Sequence, residues 1–333
     1  MKIERILTNR RHFHEYFWQI VYEWEDCLSE QLHAPLLHNL VANRWINFPL
    51  AKIVGSAAAI PTTKKPALAF LMHPFCFDDN IAGKTNIIPA IIDFWIRSDA
   101  DIKAFEKRYR NNPVVLISSK QVFDFLRSRQ VDVNLSHWPL SLPDKYQFQP
   151  SEKEFDCVLV GRPSFILKDW MMQYSKTHPD FTYVFNNRVP GPSNKHNYVT
   201  SRGEVLGNRF SSRSEFFKLL KASRVGLYST PSIDKDKQLF IGMESNGFDQ
   251  VTPRLFEYIA AGCHVMARYS ANSDTEYFNL GSIAPHISTY EEFESRMDLA
   301  RTNPVDQAMY TEWLSHHYTS TRARMLEAIL ADL

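Results

Sequence analysis

The densest run of side chains able to do chemistry lies in the segment 246–267, NGFDQVTPRLFEYIAAGCHVMA. Thr252 suits an N-cap, Pro253 the first helical position and Gly262 a C-terminal stop, which predicts a short helix over 253–261 between a loop and a buried strand. Such a helix aims free backbone N–H groups and the positive end of its dipole back along the loop, where a diphosphate could be held. Arg254 falls in the first turn, Glu257 one turn further on, and Asp249 in the approach loop. Two carboxylates so placed can accept hydrogen bonds from several sugar hydroxyls, as recognition of a nucleotide sugar requires. The plainer alternative is a capped helix with Arg254 and Glu257 as a surface i,i+3 pair worth roughly a few tenths of a kcal/mol.

Other candidates lie earlier in the chain. His73 follows the apolar run ALAFLM, with Asp78 and Asp79 close behind, and could present an acid or base from the end of a strand. Asp93, in IIDFW, ends another apolar run in the same way. Either residue reads equally as a satisfied structural group. The histidines His12, His14, His33 and His38 have no partner at zinc spacing, so no metal is expected. The basic run Arg202, Arg209 and Arg213 has Glu204 and Glu215 as neighbours and reads as a solvated face before a contact for an anionic acceptor or membrane. Neither G-x-G-x-x-G nor G-x-x-x-x-G-K-[ST] is present, which argues against a dehydrogenase and a P-loop NTPase.

These residues need a scaffold, and the chain alternates short apolar runs with amphipathic stretches. In the second half, strands are predicted at 155–160, 181–185, 225–228 and 264–267, with helices at 166–176, 214–222 and 253–261. The first half has strands at 67–72, 87–92, 113–117 and 131–135 and helices at 100–109 and 120–129. A long helix at 12–32 precedes them, its face of Phe13, Tyr16, Phe17, Ile20, Val21 and Trp24 reading as core. Strands alternating with helices imply βαβ units and parallel sheets. The stretch 138–153, with three prolines, suits an interdomain linker. The expected organisation is an N-terminal domain over 1–145, a linker at 146–154, a second domain over 155–305, and a C-terminal helix at 306–333 packing back towards the first domain. The fold class is α/β, with two Rossmann-like, doubly wound parallel-sheet domains facing across a cleft and a ligand at the carboxyl ends of the strands.

Composition narrows the field further. A chain of 333 residues, 44% hydrophobic and 23% charged, can bury a core in roughly two domains. A formal net charge of +1 gives no global field for nucleic acid, so nucleic acid is not an expected partner. The four cysteines, Cys27, Cys76, Cys157 and Cys263, are far apart and read as reduced thiols. The first residues contain no apolar leader, and the most apolar stretch, 51–60, is interrupted by Lys52, Gly55 and Ser56. A cytoplasmic protein is therefore expected.

The segment 249–262 also resembles the GT-B glycosyltransferases, in particular the retaining group marked by Glu-x7-Glu ahead of a small-residue helix. Asp249 and Glu257 take the two acidic positions, and Tyr258-Ile259-Ala260-Ala261-Gly262 is similar to the E-x-x-A-x-G that follows. The first acid is one methylene shorter than in that group. Val160-Gly161-Arg162, with Lys168 after it, looks like the strand-Gly-Arg-Lys segment that cradles a donor diphosphate, with one extra residue before the lysine. His317-Tyr318-Thr319-Ser320-Thr321-Arg322 resembles the H-T-x-x-R closing helix of the CgeB-like branch, and TPRLFEYIAAG is similar to the same branch.

The resemblance implies a GT-B glycosyltransferase that needs no cofactor and uses a nucleotide sugar as donor substrate. Glu257 would bind the donor ribose, Asp249 would stand near the transferred sugar, and Gly161, Arg162, Lys168, Thr252, Pro253 and Arg254 would complete the donor site. His73 and Asp93 are the candidates on the acceptor side. The acceptor would be a carbohydrate or lipid-linked hydroxyl, in surface polysaccharide or glycoconjugate assembly, with peripheral attachment at the inner membrane face open to the protein. Two alternatives share the fold: a nucleotide-sugar epimerase, and a non-catalytic partner in glycan assembly.

Overall fold

The computed structural model describes residues 1–11, 13, 16–39, 63–75, 81–94, 98–161, 164–188, 196–207, 212–231, 233 and 248–333. Its strands are β1 (Arg5–Thr8), β2 (Leu36–His38), β3 (Ala67–Leu71), β4 (Ile87–Ile91), β5 (Val115–Ile117), β6 (Leu135–His137), β7 (Phe155–Leu159), β8 (Tyr183–Arg188), β9 (His196–Thr200), β10 (Val205–Gly207), β11 (Ser223–Ser229) and β12 (His264–Arg268). The helices are α1 (Tyr16–Gln31), α2 (Asp99–Tyr109), α3 (Lys120–Ser128), α4 (Phe165–Thr177), α5 (Arg213–Lys221), α6 (Arg254–Ala260), α7 (Ser273–Tyr277), α8 (Leu280–Ile283), α9 (Tyr290–Thr302), α10 (Gln307–Ser315) and α11 (Thr319–Ala331). They form two compact units. One comprises described residues of Met1–Asp144 with Phe248 and His317–Leu333; the other comprises described residues from Lys145 onwards up to His316.

The first unit holds a six-stranded sheet in the order β2-β1-β3-β4-β5-β6, parallel throughout. Its strands are short and apolar because both faces are covered: every residue of β3 and β4 is buried. Ala69, Leu71, Ile87, Ile91, Phe105, Tyr109, Val122 and Leu126 build one side of its core. Helix α1 buries Ile20, Val21, Trp24 and Leu28, a helical spacing, so this face is core as its sequence suggests. Ser98 and Ser119 cap α2 and α3 by accepting from the Asp101 and Val122 N–H groups.

The unit also contains part of the stretch read as a linker. Trp138, Leu140, Ser141 and Leu142 are buried, and Leu142 forms a bridge with Tyr318. The proline signal here marks a buried strap. His317, Thr319 and Arg322, the residues of the H-T-x-x-R resemblance, hold it. The Arg322 Nε donates to the carbonyls of Pro139 and Leu140, its Nη2 lies 2.9 Å from His317 Nδ1, and Thr319 Oγ1 donates to Leu142 O. The predicted strand at 131–135 is displaced: Gln130 adopts a left-handed conformation, φ 52°, and pairing starts only at Leu135.

The second unit has the order β10-β9-β8-β7-β11-β12. Strands β8, β7, β11 and β12 are parallel, whereas β9 and β10 add an antiparallel edge. The four strands β8, β7, β11 and β12 form the expected parallel sheet, and β9 and β10 extend it as an antiparallel edge. Its core packs Leu159, Leu167, Met171, Tyr174, Leu227, Met266 and Phe293. In both sheets the order reverses once, between β1 and β3 and between β7 and β11, and such switch points open a crevice at the carboxyl ends of the strands.

Candidate functional site

In the second unit the chain leaves β7 through Gly161, whose φ of +80° only glycine adopts without strain. Ser164 then caps α4 by accepting from the Leu167 N–H. This strand–Gly–helix turn stands at the switch point beside β11. A Cβ at position 161 would lie 3.7 Å from both Nε and Nη2 of Arg254, so the Arg254 guanidinium faces the turn. The carbonyl of Gly161 accepts from Asn186 Nδ2 at 3.0 Å.

Arg254 opens α6, and its ring-stacked position over Phe216 of α5, 4.2 Å from the ring centroid, directs it there. Its Nη1 is ion-paired with Glu257 Oε2 at 2.7 Å. The other oxygen of Glu257, Oε1, accepts from Arg213 Nη2 at 2.5 Å. The Glu257 and Arg213 side chains are 2% and 5% exposed, and that of Arg254 20%. The surface-pair alternative for Arg254 and Glu257 fails on this burial. So does the solvated-face reading of Arg213, which stands at the first position of α5 with Ser212 as its cap. Two guanidinium groups share one carboxylate, and the trio carries a net positive charge. Burial pushes the Tyr198 phenol above its usual range, with Arg254 opposing the rise.

Helix α6 itself is shorter than predicted. It runs over seven residues, its N-cap is Pro253, and no side chain caps it. Thr252 is therefore not the cap. Its carbonyl accepts from Leu255 N and its N–H donates to the Tyr228 hydroxyl at 3.1 Å, which moors the loop to β11. Asp249 is also occupied: Oδ2 accepts from Thr230 Oγ1 at 2.5 Å and from Ser270 N at 3.3 Å, tying the ends of β11 and β12 together. Asn272 Nδ2 adds a bond to the Asp249 carbonyl.

Lys168, in the first turn of α4, holds its Nζ 5.2 Å from the Phe185 ring centroid. Arg162 lies outside the described residues, as do His12, His14, Asp78, Asp79 and Arg209. His73 and Asp93 belong to the first unit. His73 Nδ1 accepts from Phe75 N, and burial, with the Arg108 charge behind it, holds the imidazole below its ordinary range and neutral near pH 7. Asp93 donates its N–H to the Met72 carbonyl, so the two candidates follow adjacent strands β3 and β4. The second unit thus gathers Gly161, Arg254 and Glu257 at one strand end, with Thr252 and Asp249 on the loop leading to them. Among the described residues no group of three His, Cys, Asp or Glu side chains could hold a metal ion. No described helix is long and apolar enough to cross a membrane.

Arg213 is the member of the trio that sequence reasoning missed. It is 44 residues from Glu257, and only the packing of α5 against α6 joins them.

Comparison with known proteins agrees with this arrangement. Residues 169–328, which include β11, α6 and β12, match a family model described as glycosyl transferase-like. No curated sequence matches the chain. Among solved structures, a DNA-modifying β-glucosyltransferase studied with and without its substrate uridine diphosphoglucose superposes with a TM-score of 0.54, 12% identity and complete coverage of both chains. A trehalose-6-phosphate synthase superposes at 0.53 with 12% identity, over 96% of this chain and 85% of that one. A pneumococcal O-GlcNAc transferase, GtfA, solved with UDP and GlcNAc, superposes at 0.51 with 11% identity over 80% of this chain, which spans only 57% of its length. At these identities the likeness is one of fold. The fold is GT-B, two α/β units each on a largely parallel sheet.

Proposed function

We propose that the protein transfers a sugar from a nucleotide-sugar donor to a hydroxyl acceptor, with the donor bound at the switch point of the second sheet. The observation that carries this reading is the Arg213–Glu257–Arg254 trio beside Gly161, two guanidinium groups on one buried carboxylate with Arg254 facing the glycine turn. A diphosphate is the complement of such a group: dianionic, and able to accept several charge-assisted hydrogen bonds. Arg254 would hold it with the Gly161 turn, Lys168 and Arg162. Glu257 orients Arg254 and would offer its remaining lone pairs to ribose hydroxyls. Asp249, fixed by Thr230 and Ser270, would stand near the transferred sugar.

In the reaction the bond from the sugar anomeric carbon to the diphosphate oxygen breaks, and the acceptor oxygen bonds to that carbon. The acceptor proton leaves to a base, for which neutral His73 and Asp93 are the candidates. Cations fixed before the reaction stabilise the departing diphosphate without rearranging. The acceptor we infer is a hydroxyl of a glycan, lipid-linked or other glycoconjugate under assembly.

The test is incubation with a panel of UDP-, GDP- and dTDP-sugars, with and without carbohydrate and lipid-linked acceptors. Acceptor-dependent release of nucleoside diphosphate with formation of a glycoside is the expected result. An altered nucleotide sugar without any acceptor would point to the epimerase, and nucleotide binding without turnover across the panel to a non-catalytic role.

A further inference from the structure

We propose that Arg213 is a positioning residue for donor binding, acting on Arg254 through Glu257; this rests on the donor-site reading above. The geometry is a chain of three side chains in one unit. Arg213 Nη2 meets Glu257 Oε1 at 2.5 Å, and Glu257 Oε2 meets Arg254 Nη1 at 2.7 Å. Because Glu257 lies between them, its rotamer is fixed from the Arg213 side, and that rotamer sets where Oε2 stands. Arg254 is then aimed at the Gly161 turn by two constraints, the carboxylate and the Phe216 ring, both of which depend on α5.

Charge supports the same assignment. A lone Arg254–Glu257 pair would be neutral and would gain little from a dianion. Arg213 takes Oε1 of Glu257 and Arg254 takes Oε2, so the three side chains together sum to one positive charge. Arg213 itself is nearly fully buried, with its guanidinium carbon 5.7 Å from the Tyr146 ring centroid, so it acts through its neighbour rather than by touching the donor. Its distance in sequence from the resemblance motif explains why that motif does not contain it.

The experiment measures UDP and GDP affinity by calorimetry on the full chain, as wild type, Arg213→Met, Arg213→Lys, Arg254→Met and the Arg213→Met/Arg254→Met double variant, with a melting curve for each. The expected result is wild-type binding of one nucleotide and an at least tenfold loss for Arg213→Met. The double variant should bind no more weakly than Arg254→Met alone, since both act on one contact. Arg213→Lys should fall between wild type and Arg213→Met, because a lysine keeps the charge and loses the fork. A folded Arg213→Met protein with wild-type affinity, or losses that add in full in the double variant, would overturn the proposal while leaving the donor site standing. If Arg213→Met does not fold, the folded Arg213→Lys variant carries the test: wild-type affinity there overturns the proposal, and a loss that does not add to that of Arg254→Met supports it. Wild-type protein that binds neither nucleotide would overturn the donor reading itself.

Discussion

The two sheets share a plan and differ in what stands at their carboxyl ends. At the end of β7 the second unit concentrates charge: two arginines, one buried carboxylate, and a glycine turn that a guanidinium faces. The first unit offers, besides Asp93, two imidazoles that are neutral near pH 7. His73 is held neutral, and burial, with Lys120 and Arg322 adding to it, brings His137 down to about 4. Asn9, at the end of β1, is 4% exposed, and its Oδ1 accepts no hydrogen bond among the described residues. The same architecture can thus host an anion at one crevice and present neutral imidazoles with an acid, Asp93, at the other. Function lies in these side chains, since the fold alone would serve many.

Removing the carboxylate from the charged end should have the largest effect. Glu257→Ala leaves the buried guanidinium of Arg213 and the half-buried one of Arg254 without the carboxylate they share, and stability should fall by about 3–5 kcal/mol. A chemical denaturation curve checks it. A change below about 1 kcal/mol would mean that the trio behaves as a surface pair.

The imidazole-bearing end should reveal itself in pH dependence. His137 has a folded value of about 4 against about 6.5 unfolded, so the unfolded chain binds more protons between these limits. Its contribution is fully present above pH 6.5 and is lost as pH falls towards 4, by about 3 kcal/mol at most. His137→Gln should flatten that limb of the stability curve. An unchanged slope would place the acid sensitivity elsewhere.

Smaller effects belong to single backbone and packing positions. Gly161→Ala keeps ordinary contact distances to Arg254 but must hold a φ of +80°, which should cost about 1–2 kcal/mol. Asn9→Leu removes a buried polar group with an unmet acceptor, so thermal unfolding should show a stability equal to or about 1 kcal/mol above wild type. A clear loss of stability would mean that the amide is satisfied in solution.

Much of this contrast was legible in the sequence. The period of α1 and the apolar runs of β3, β4, β7 and β11 locate the two sheets to within a residue or two, because burial writes these patterns. The strands β1 and β2 of the first sheet and β9 and β10 of the second, the outer pair at one side of each, were not found. Three to five residues long and partly polar, they owe their state to a neighbouring strand. Likewise Asp249, Arg254 and Glu257 could be marked as one segment, whereas the linker reading of 138–142 and the solvated reading of Arg213 failed for one reason. Prolines and nearby acids describe a local chain, but a strap held by Arg322 and an arginine held by Glu257 are defined by contacts 183 and 44 residues away.

The central claim is that the positive trio at the end of β7 binds a nucleoside diphosphate, and Arg254 is its exposed member. The most direct measurement is calorimetric titration of UDP and GDP into wild-type and Arg254→Ala protein at fixed ionic strength. The account predicts that one nucleotide binds the wild type, and that Arg254→Ala weakens it by about 1.5–3 kcal/mol, the scale of a hydrogen bond to a charged group, with the melting temperature lowered little. An Arg254→Ala protein that remains folded and binds the nucleotide as tightly as wild type would contradict it.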